Sequence, residues 1–549
     1  MNTFPLRRCA FARVIFLLLF SSSALAARVE RVINNWQPQH YLVNITLNDQ
    51  LTEISSASAR IDVRILKSTR VIDLDFGELT VDRVILNSKL LEFTHKDGVL
   101  LVALPEDAKT GAVVPLTVEY HGKPKDGLTL TKDKDGNPAA VGDNWPDRVH
   151  HWIPTLDHPS AKAPITFNIT VPANQEVVAN GKLEKVETIA TGQRTWTYTE
   201  GVPIPPYCMI IAVGQFAKVE PVERAVTPLS YYVPLSERDL ALKGFSPGGP
   251  VVDYFTNTVA PYPYEKLALI VGATRFGGME NSSAIVFTSN LFSRATAPAI
   301  GMSRKFGVPS NNLNVIAHEI AHQWFGDSVT ESTWSDLWLS EGFATYFAAL
   351  FVQRFEGEDA FRASMNNASL AVFAYEKKKL VPIFDRETEN LMELLNANNY
   401  QKGAWVLHML RSQLGDDTFF RGIRDYYTTH KNATASSEDL RAALEKASGK
   451  NLRSFFARWV YDSGHPQYEL AWYWLGRREV RLVLTQRQPG NAFLDPLPVT
   501  ITTAGGKRDI VLKPTGKLFI ERVPLRQKPM SIEVDPQNVL LDETTIKGN

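Results

Sequence analysis

Two histidines four residues apart flank a glutamate in Val315-Ile316-Ala317-His318-Glu319-Ile320-Ala321-His322-Gln323-Trp324-Phe325. On a helix, residues at this spacing project from one face, so His318 and His322 can close on a single ion. Glu319, between them, leans toward that ion without binding it and is placed to take a proton from water. A third acid, Glu341, follows inside Leu337-Trp338-Leu339-Ser340-Glu341-Gly342-Phe343-Ala344, which also reads as helix. Two His, one Glu and a position left for water make the catalytic zinc pattern, whereas structural zinc is usually closed by four protein ligands. The chemistry this predicts is hydrolysis assisted by one zinc ion per chain.

Histidines in buried helices often do no more than hydrogen-bond to the backbone. Here Ile316 and Ile320 lie on the side opposite the histidines and already supply the core face. The chain has only eleven His, yet two of them fall at ligand spacing.

A chain of 549 residues is too long for one hydrophobic core, so several domains are expected. Lys plus Arg equals Asp plus Glu at 59 each, leaving no global field to attract nucleic acid or an acidic membrane. Hydrophobic content of 44% and charged content of 21% fit an ordinary soluble globular protein. Arg7, Arg8 and Arg13 precede the apolar run Val14–Phe20, and Ala24-Leu25-Ala26 supplies the small residues of a cleavage site. This reads as a signal peptide over 1–26, with a retained N-terminal anchor as the alternative. No later segment is long and apolar enough to span a bilayer. Cleavage would leave Cys208 as the only thiol, so no internal disulfide is expected.

From about 30 to 220 the pattern is strand after strand. Tyr41, Val43, Ile45 and Leu47 alternate with polar residues, as do Ile61, Val63 and Ile65, and Leu116, Val118 and Tyr120. From about 235 to 465 the pattern turns helical; Ser436-Ser437-Glu438-Asp439 reads as a helix start, with Gly449 near its end. Alternation returns at Val480–Leu484 and Val499–Ile501, and Ala504-Gly505-Gly506-Lys507 predicts a hairpin to Ile510–Leu512. The expected fold is multidomain α+β, with an N-terminal β domain over 27–225, a mainly α catalytic domain over 226–465 and a small C-terminal β domain over 466–549.

Upstream of the histidines lies Arg275-Phe276-Gly277-Gly278-Met279-Glu280-Asn281. Paired glycines let backbone approach a ligand closely, and the carboxylate beside them can hold a cation. With His318-Glu319-x-x-His322, a gap of eighteen residues (323–340) and then Glu341, the chain resembles the gluzincin aminopeptidases of the alanyl-aminopeptidase and leukotriene-hydrolase superfamily. Further stretches are similar to that family: Leu156–Ala163 with Asp157 and Pro159, Ile211–Phe216, and Tyr400-Gln401-Lys402-Gly403-Ala404. The resemblance implies a saddle-like N-terminal β domain, a thermolysin-like catalytic domain and a C-terminal β-sandwich. It makes Glu319 the base and Tyr400 a donor to the oxyanion. Glu280 becomes the anchor for a free α-amine, beside Gly277, Gly278, Met279 and Asn281, with Phe276 walling the first side chain's pocket. The implied substrates are peptides with a free N-terminus.

Asp327 and Ser340 depart from this pattern, standing where many relatives have Asn. Ser340 can still hydrogen-bond, so tuning rather than loss is expected. A domain of 84 residues after 465 leaves no room for the large helical C-terminal domain of many relatives, which predicts comparable turnover of dipeptides and decapeptides. No residue of the N-terminal domain is a clear partner for the substrate amine; Asp143 and Asn144 are candidates. A zinc endopeptidase, a leukotriene-type epoxide hydrolase and a non-catalytic binding module remain open. His150, His151 and His158 read as surface or core histidines rather than a second metal site. Asn44, Asn168, Asn281 and Asn432 begin N-x-Ser/Thr triplets, and a glycan on Asn281 would block the substrate motif. That favours an exported bacterial setting, periplasmic or secreted.

Overall fold

The computed structural model describes residues 28–221, 227–292, 301–476 and 478–548; the expected signal peptide lies outside them. The alternating segments near the N-terminus become an eight-stranded sheet. Its order is Lys182–Thr188, Arg194–Ile204, Ala163–Val171, Trp36–Leu47, Ile54–Ile65, Val113–Gly122, Thr80–Leu86, Lys89–Leu90. Tyr41, Val43, Ile45, Ile61, Val63, Leu116 and Val118 all point into one core shared with Trp152 and Phe167, as the period of two requires. Asn44 and Asn168 face each other across the parallel pair of central strands and are hydrogen-bonded at 2.8 Å. A four-stranded sheet, Glu176–Ala179, Ile211–Gly214, Pro138–Gly142 and Leu128–Lys132, brings this unit up to the site.

The middle of the chain is less purely helical than its pattern suggests. A five-stranded sheet runs in the order Phe216–Val219, Leu229–Pro234, Leu267–Gly272, Ala284–Thr288, Gly278–Met279. Its first strand precedes residue 226, where the sequence pattern places the start of the catalytic unit. Strands Leu267–Gly272 and Ala284–Thr288 are parallel and buried up to their last residues, so they carry near-continuous apolar runs instead of an alternation. Gly278–Met279 is the edge strand, which leaves one side of its backbone facing the cleft.

Helices then take over, chiefly Ser310–His322, Trp338–Glu356, Glu358–Glu376, Gly403–Leu414, Asp416–His430 and Ser437–Ser448. The last is closed by a capping box between Ser436 and Asp439 and by Gly449 in the left-handed region (φ 67°). Beyond them, a four-stranded sheet (Leu518–Pro524, Glu479–Gln486, Gln467–Trp474, Glu543–Gly548) faces a three-stranded one (Gly506–Leu512, Leu497–Thr503, Ser531–Val534). Leu470 and Leu482 of one and Val499, Ile501 and Ile532 of the other share a core, and the 503–506 turn is the expected hairpin. The fold is therefore multidomain α+β, β-rich at both ends with the helices between. Among the described residues, no helix is long and apolar enough to cross a membrane.

Candidate active site

Helix Ser310–His322 buries Leu313, Ile316, Ala317 and Ile320, which turns His318 and His322 to the opposite face. The chain must then reverse so that helix Trp338–Glu356 can present Glu341 from its first turn. Gly326 makes the reversal possible: its φ is 122°, and a Cβ there would lie 2.4 Å from Ser340 Oγ and 3.0 Å from His322 Nδ1. His322 Nδ1 donates to the Phe325 carbonyl at 3.1 Å, and Ser340 Oγ stands 3.0 Å from the same nitrogen. With its hydrogen on Nδ1, the ring turns the Nε2 lone pair toward the site. Ser340 thus keeps a hydrogen-bonding place beside the ligand set.

His318 Nε2 and His322 Nε2 are 3.1 Å apart, and Glu341 Oε2 lies 3.2 Å from the first and 3.3 Å from the second. A tetrahedral zinc ion about 2.0–2.1 Å from each ligand separates ligands by roughly 3.3 Å, so these three atoms fit it. Burial pushes the His318 imidazole down toward the neutral form that a ligand needs. Burial works against ionised Glu341, but where protons rather than a metal ion occupy the facing histidine nitrogens, the His322 charge and the hydrogen bonds from both rings hold its carboxyl at about 2.

Glu319, Glu280 and His322 form a second buried group, overlapping the first at His322. A Cβ on Gly278 would sit 2.4 Å from Glu319 Cγ and 2.6 Å from its Oε1, so only glycine leaves room for that carboxylate. Burial, and then the charge of Glu280, push the Glu319 carboxyl well above its ordinary range. Glu280 is pushed to about 7, first by burial and also by the charge of Glu341. A buried carboxylate with no cation beside it is costly, and a substrate ammonium would relieve that cost. Asn281 is fully buried, which excludes a glycan on it in the folded protein.

Gln323 is a contributor that the sequence reading did not single out. Its Nε2 donates to the Glu280 carbonyl at 2.9 Å, and its Oε1 accepts from the Ser283 N–H at 2.8 Å. The residue after the second histidine therefore ties the motif helix to the Glu280 loop. Asp327 accepts from Gln323 Nε2 at 2.8 Å and from the Cys208 thiol at 3.3 Å, which makes it part of the support beneath that loop.

Tyr400 sits on a single π-helical turn, Asn398–Lys402, ahead of helix Gly403–Leu414. Such turns are frequent at functional sites because they re-aim one side chain. Gly342, next to Glu341, contacts Gly403 so closely that a Cβ would meet its Cα at 2.8 Å. The Tyr400 ring stacks parallel to His318 at 5.8 Å, and Glu341 is the charge that acts most strongly on its hydroxyl. Burial, followed by the Glu341 charge, keeps this phenol well above its ordinary range, so it remains a proton-bearing donor.

These residues line a cavity of about 310 Å³ with Phe276, Gly277, Met279, Trp145 and Leu395. Trp145 was not foreseen; it meets Phe276 edge-on at 6.2 Å and Trp334 at 5.8 Å. Asp143 and Asn144, its neighbours, do not line the cavity. Asp143 is buried against Arg148 at 3.3 Å and the Arg275 N–H at 3.2 Å, and Asn144 binds the Trp152 indole at 2.8 Å. His150, His151 and His158 pair separately with Asp157, Glu78 and Glu30. Among the described residues, the site at His318, Glu319 and Glu341 holds every group of ligand type close enough to share an ion.

Residues 250–459 match the peptidase family M1 domain, and residues 37–208 match the peptidase M1 N-terminal domain. Glutamyl aminopeptidase of Rattus norvegicus is 26% identical over 470 residues, covering 78% of this chain and 47% of that protein. The tricorn protease-interacting factor F2 of Thermoplasma acidophilum is 25% identical, covering 81% and 56%. Probable aminopeptidase 2 of Sulfurisphaera tokodaii is 29% identical, covering 73% and 51%. The chain belongs to peptidase family M1, and it spans about half the length of these curated relatives.

Proposed function

We propose that the chain is a zinc-dependent aminopeptidase that hydrolyses the first peptide bond of peptides with a free N-terminus. The observation that carries this is the convergence of His318, His322 and Glu341 to 3.1–3.3 Å, with Glu319 and Glu280 beside them. A zinc ion held by those three residues supplies a Lewis acid that acidifies water and polarises a carbonyl. Glu280 receives the α-ammonium, and the open edge of Gly278–Met279, with Gly277, aligns the peptide backbone as an added strand. This anchor fixes which bond reaches the catalytic groups, so one residue leaves at a time. Glu319 takes the proton of the attacking water, holds it, and passes it to the leaving amine. Tyr400 donates its hydroxyl hydrogen to the oxygen where negative charge develops.

The metal requirement is tested on the purified protein by elemental analysis and by turnover of leucine amide. One zinc per chain, activity lost to a chelator and restored by zinc is the expected result; full activity in metal-free protein would contradict it.

Trp145, Phe276 and Leu395 make the far wall aromatic and apolar, which favours large apolar first residues. Trp145→Ala is expected to lower kcat/KM for leucine and phenylalanine amides about 10-fold more than for alanine amide. A uniform loss across the three would remove Trp145 from the pocket wall.

The exported setting belongs to the same proposal and rests on the Arg-flanked apolar run and Ala24-Leu25-Ala26. Sequencing protein recovered from the periplasm or medium should give an N-terminus just after Ala26, whereas an intact leader on cytosolic enzyme would argue against export.

A further inference from the structure

Behind the Tyr400 turn lies a line of charged groups, buried at Lys402, Glu376 and His465 and part-exposed at Glu543, for which hydrolysis as described has no use. Lys402 follows Tyr400 by two residues on the same π turn and is fully buried. Its ammonium donates to Glu376 Oε1 at 2.7 Å and to the Gly464 carbonyl at 2.9 Å. The other oxygen of Glu376 meets His465 Nδ1, and His465 Nε2 reaches Glu543 Oε2 at 3.2 Å. Phe373 covers the imidazole, its ring centre 4.3 Å away. Glu376 ends helix Glu358–Glu376, while Glu543 opens the terminal strand Glu543–Gly548, which pairs with Gln467–Trp474. The line therefore runs from the turn that carries Tyr400 into the C-terminal β unit.

Buried ion pairs of this kind add little net stability, because desolvation offsets most of the attraction. What they do well is favour one arrangement over its neighbours, since an unpaired buried charge is strongly disfavoured. A π turn needs such a constraint, because its extra residue could be resorbed into an ordinary helix and would re-aim the side chain before it. The rest of the turn is clamped in the same sense: Asn399 Nδ2 donates to the Leu394 carbonyl at 2.8 Å, and Asn398 Nδ2 to the Val381 carbonyl at 2.9 Å.

We propose that Lys402, Glu376 and His465 form a positioning chain through which the C-terminal β unit fixes the π turn and aims the Tyr400 hydroxyl. The proposal rests on the reading of Tyr400 as oxyanion donor. These residues touch no substrate; they act through Tyr400, so their loss should lower kcat and leave KM unchanged.

The test is a pair of double-mutant cycles in the full-length enzyme, with Lys402→Met and His465→Gln each made alone and with Tyr400→Phe. Leucine amide turnover, zinc content and thermal unfolding are read for all. Tyr400→Phe alone should lower kcat about 10²-fold. Each positioning variant should lower kcat about 10-fold or more with KM within about twofold, and by less than about twofold once Tyr400 is already Phe. Equal losses in both backgrounds, or a lowered Tm with unchanged kcat, would overturn the positioning role. Should Lys402→Met fail to fold, the His465→Gln cycle decides alone. An unchanged kcat in Tyr400→Phe would instead strike at the role of Tyr400 itself, and the chain would then have nothing to position.

Discussion

Glu319→Gln is expected to lower turnover of a free-amine peptide by about 10²–10⁴-fold while the zinc content stays at one per chain. The amide keeps nearly the volume of the carboxylate, so the space that Gly278 leaves for residue 319 is filled as before. It cannot take up a proton and return it, and that is the whole of the proposed loss. The three proposed ligand atoms belong to other residues and keep their separations of 3.1–3.3 Å. Steady-state kinetics with metal analysis on the same preparation separates the two effects. Near-normal kcat in the variant would remove Glu319 from its role as base.

The second large effect is expected at Glu280. Removing one partner of a buried charge pair costs about 2–5 kcal/mol, so Glu280→Ala should lower kcat/KM for free-amine substrates by roughly 30- to 4000-fold. Blocked substrates gain nothing from this carboxylate, and their slow turnover should change little. The variant's discrimination between free and acetylated amines therefore collapses, measured as the ratio of the two kcat/KM values. A variant that is slower on both substrates by the same factor would show that Glu280 holds the loop and does not select the amine. Gln323 bears on this, because it grips the Glu280 loop through backbone atoms and keeps that grip in the variant.

The geometry of the candidate site was legible wherever it is local. The His318 to His322 spacing needs only the pitch of a helix, and Glu341 needs only a second helix returning past the first. The Ser436 cap and the hairpin at 503–506 are short-range signals of the same kind. Elements defined by their neighbours were not legible. The strands Leu267–Gly272 and Ala284–Thr288 are covered on both faces, so no alternation marks them out from buried helix. Gly278–Met279 is a strand only because Val286 and Phe287 lie beside it. Trp145 enters the cavity from a different sheet unit, and in the tetrapeptide Gly142–Trp145 the sequence pointed to Asp143 and Asn144 instead. The π turn under Tyr400 has no periodicity of its own, and the partners of Lys402 are distant in sequence, at Glu376 and Gly464.

In the proposed function a free amine, held by Glu280, decides which bond is cut. The decisive comparison sets one peptide against its N-acetylated form on the zinc-loaded enzyme, following products by mass. Sequential release of single residues from the free peptide is expected, with only slow cleavage of the acetylated one. Equal cleavage of both, or internal fragments from either, would contradict it and make the chain an endopeptidase on the same ligand set.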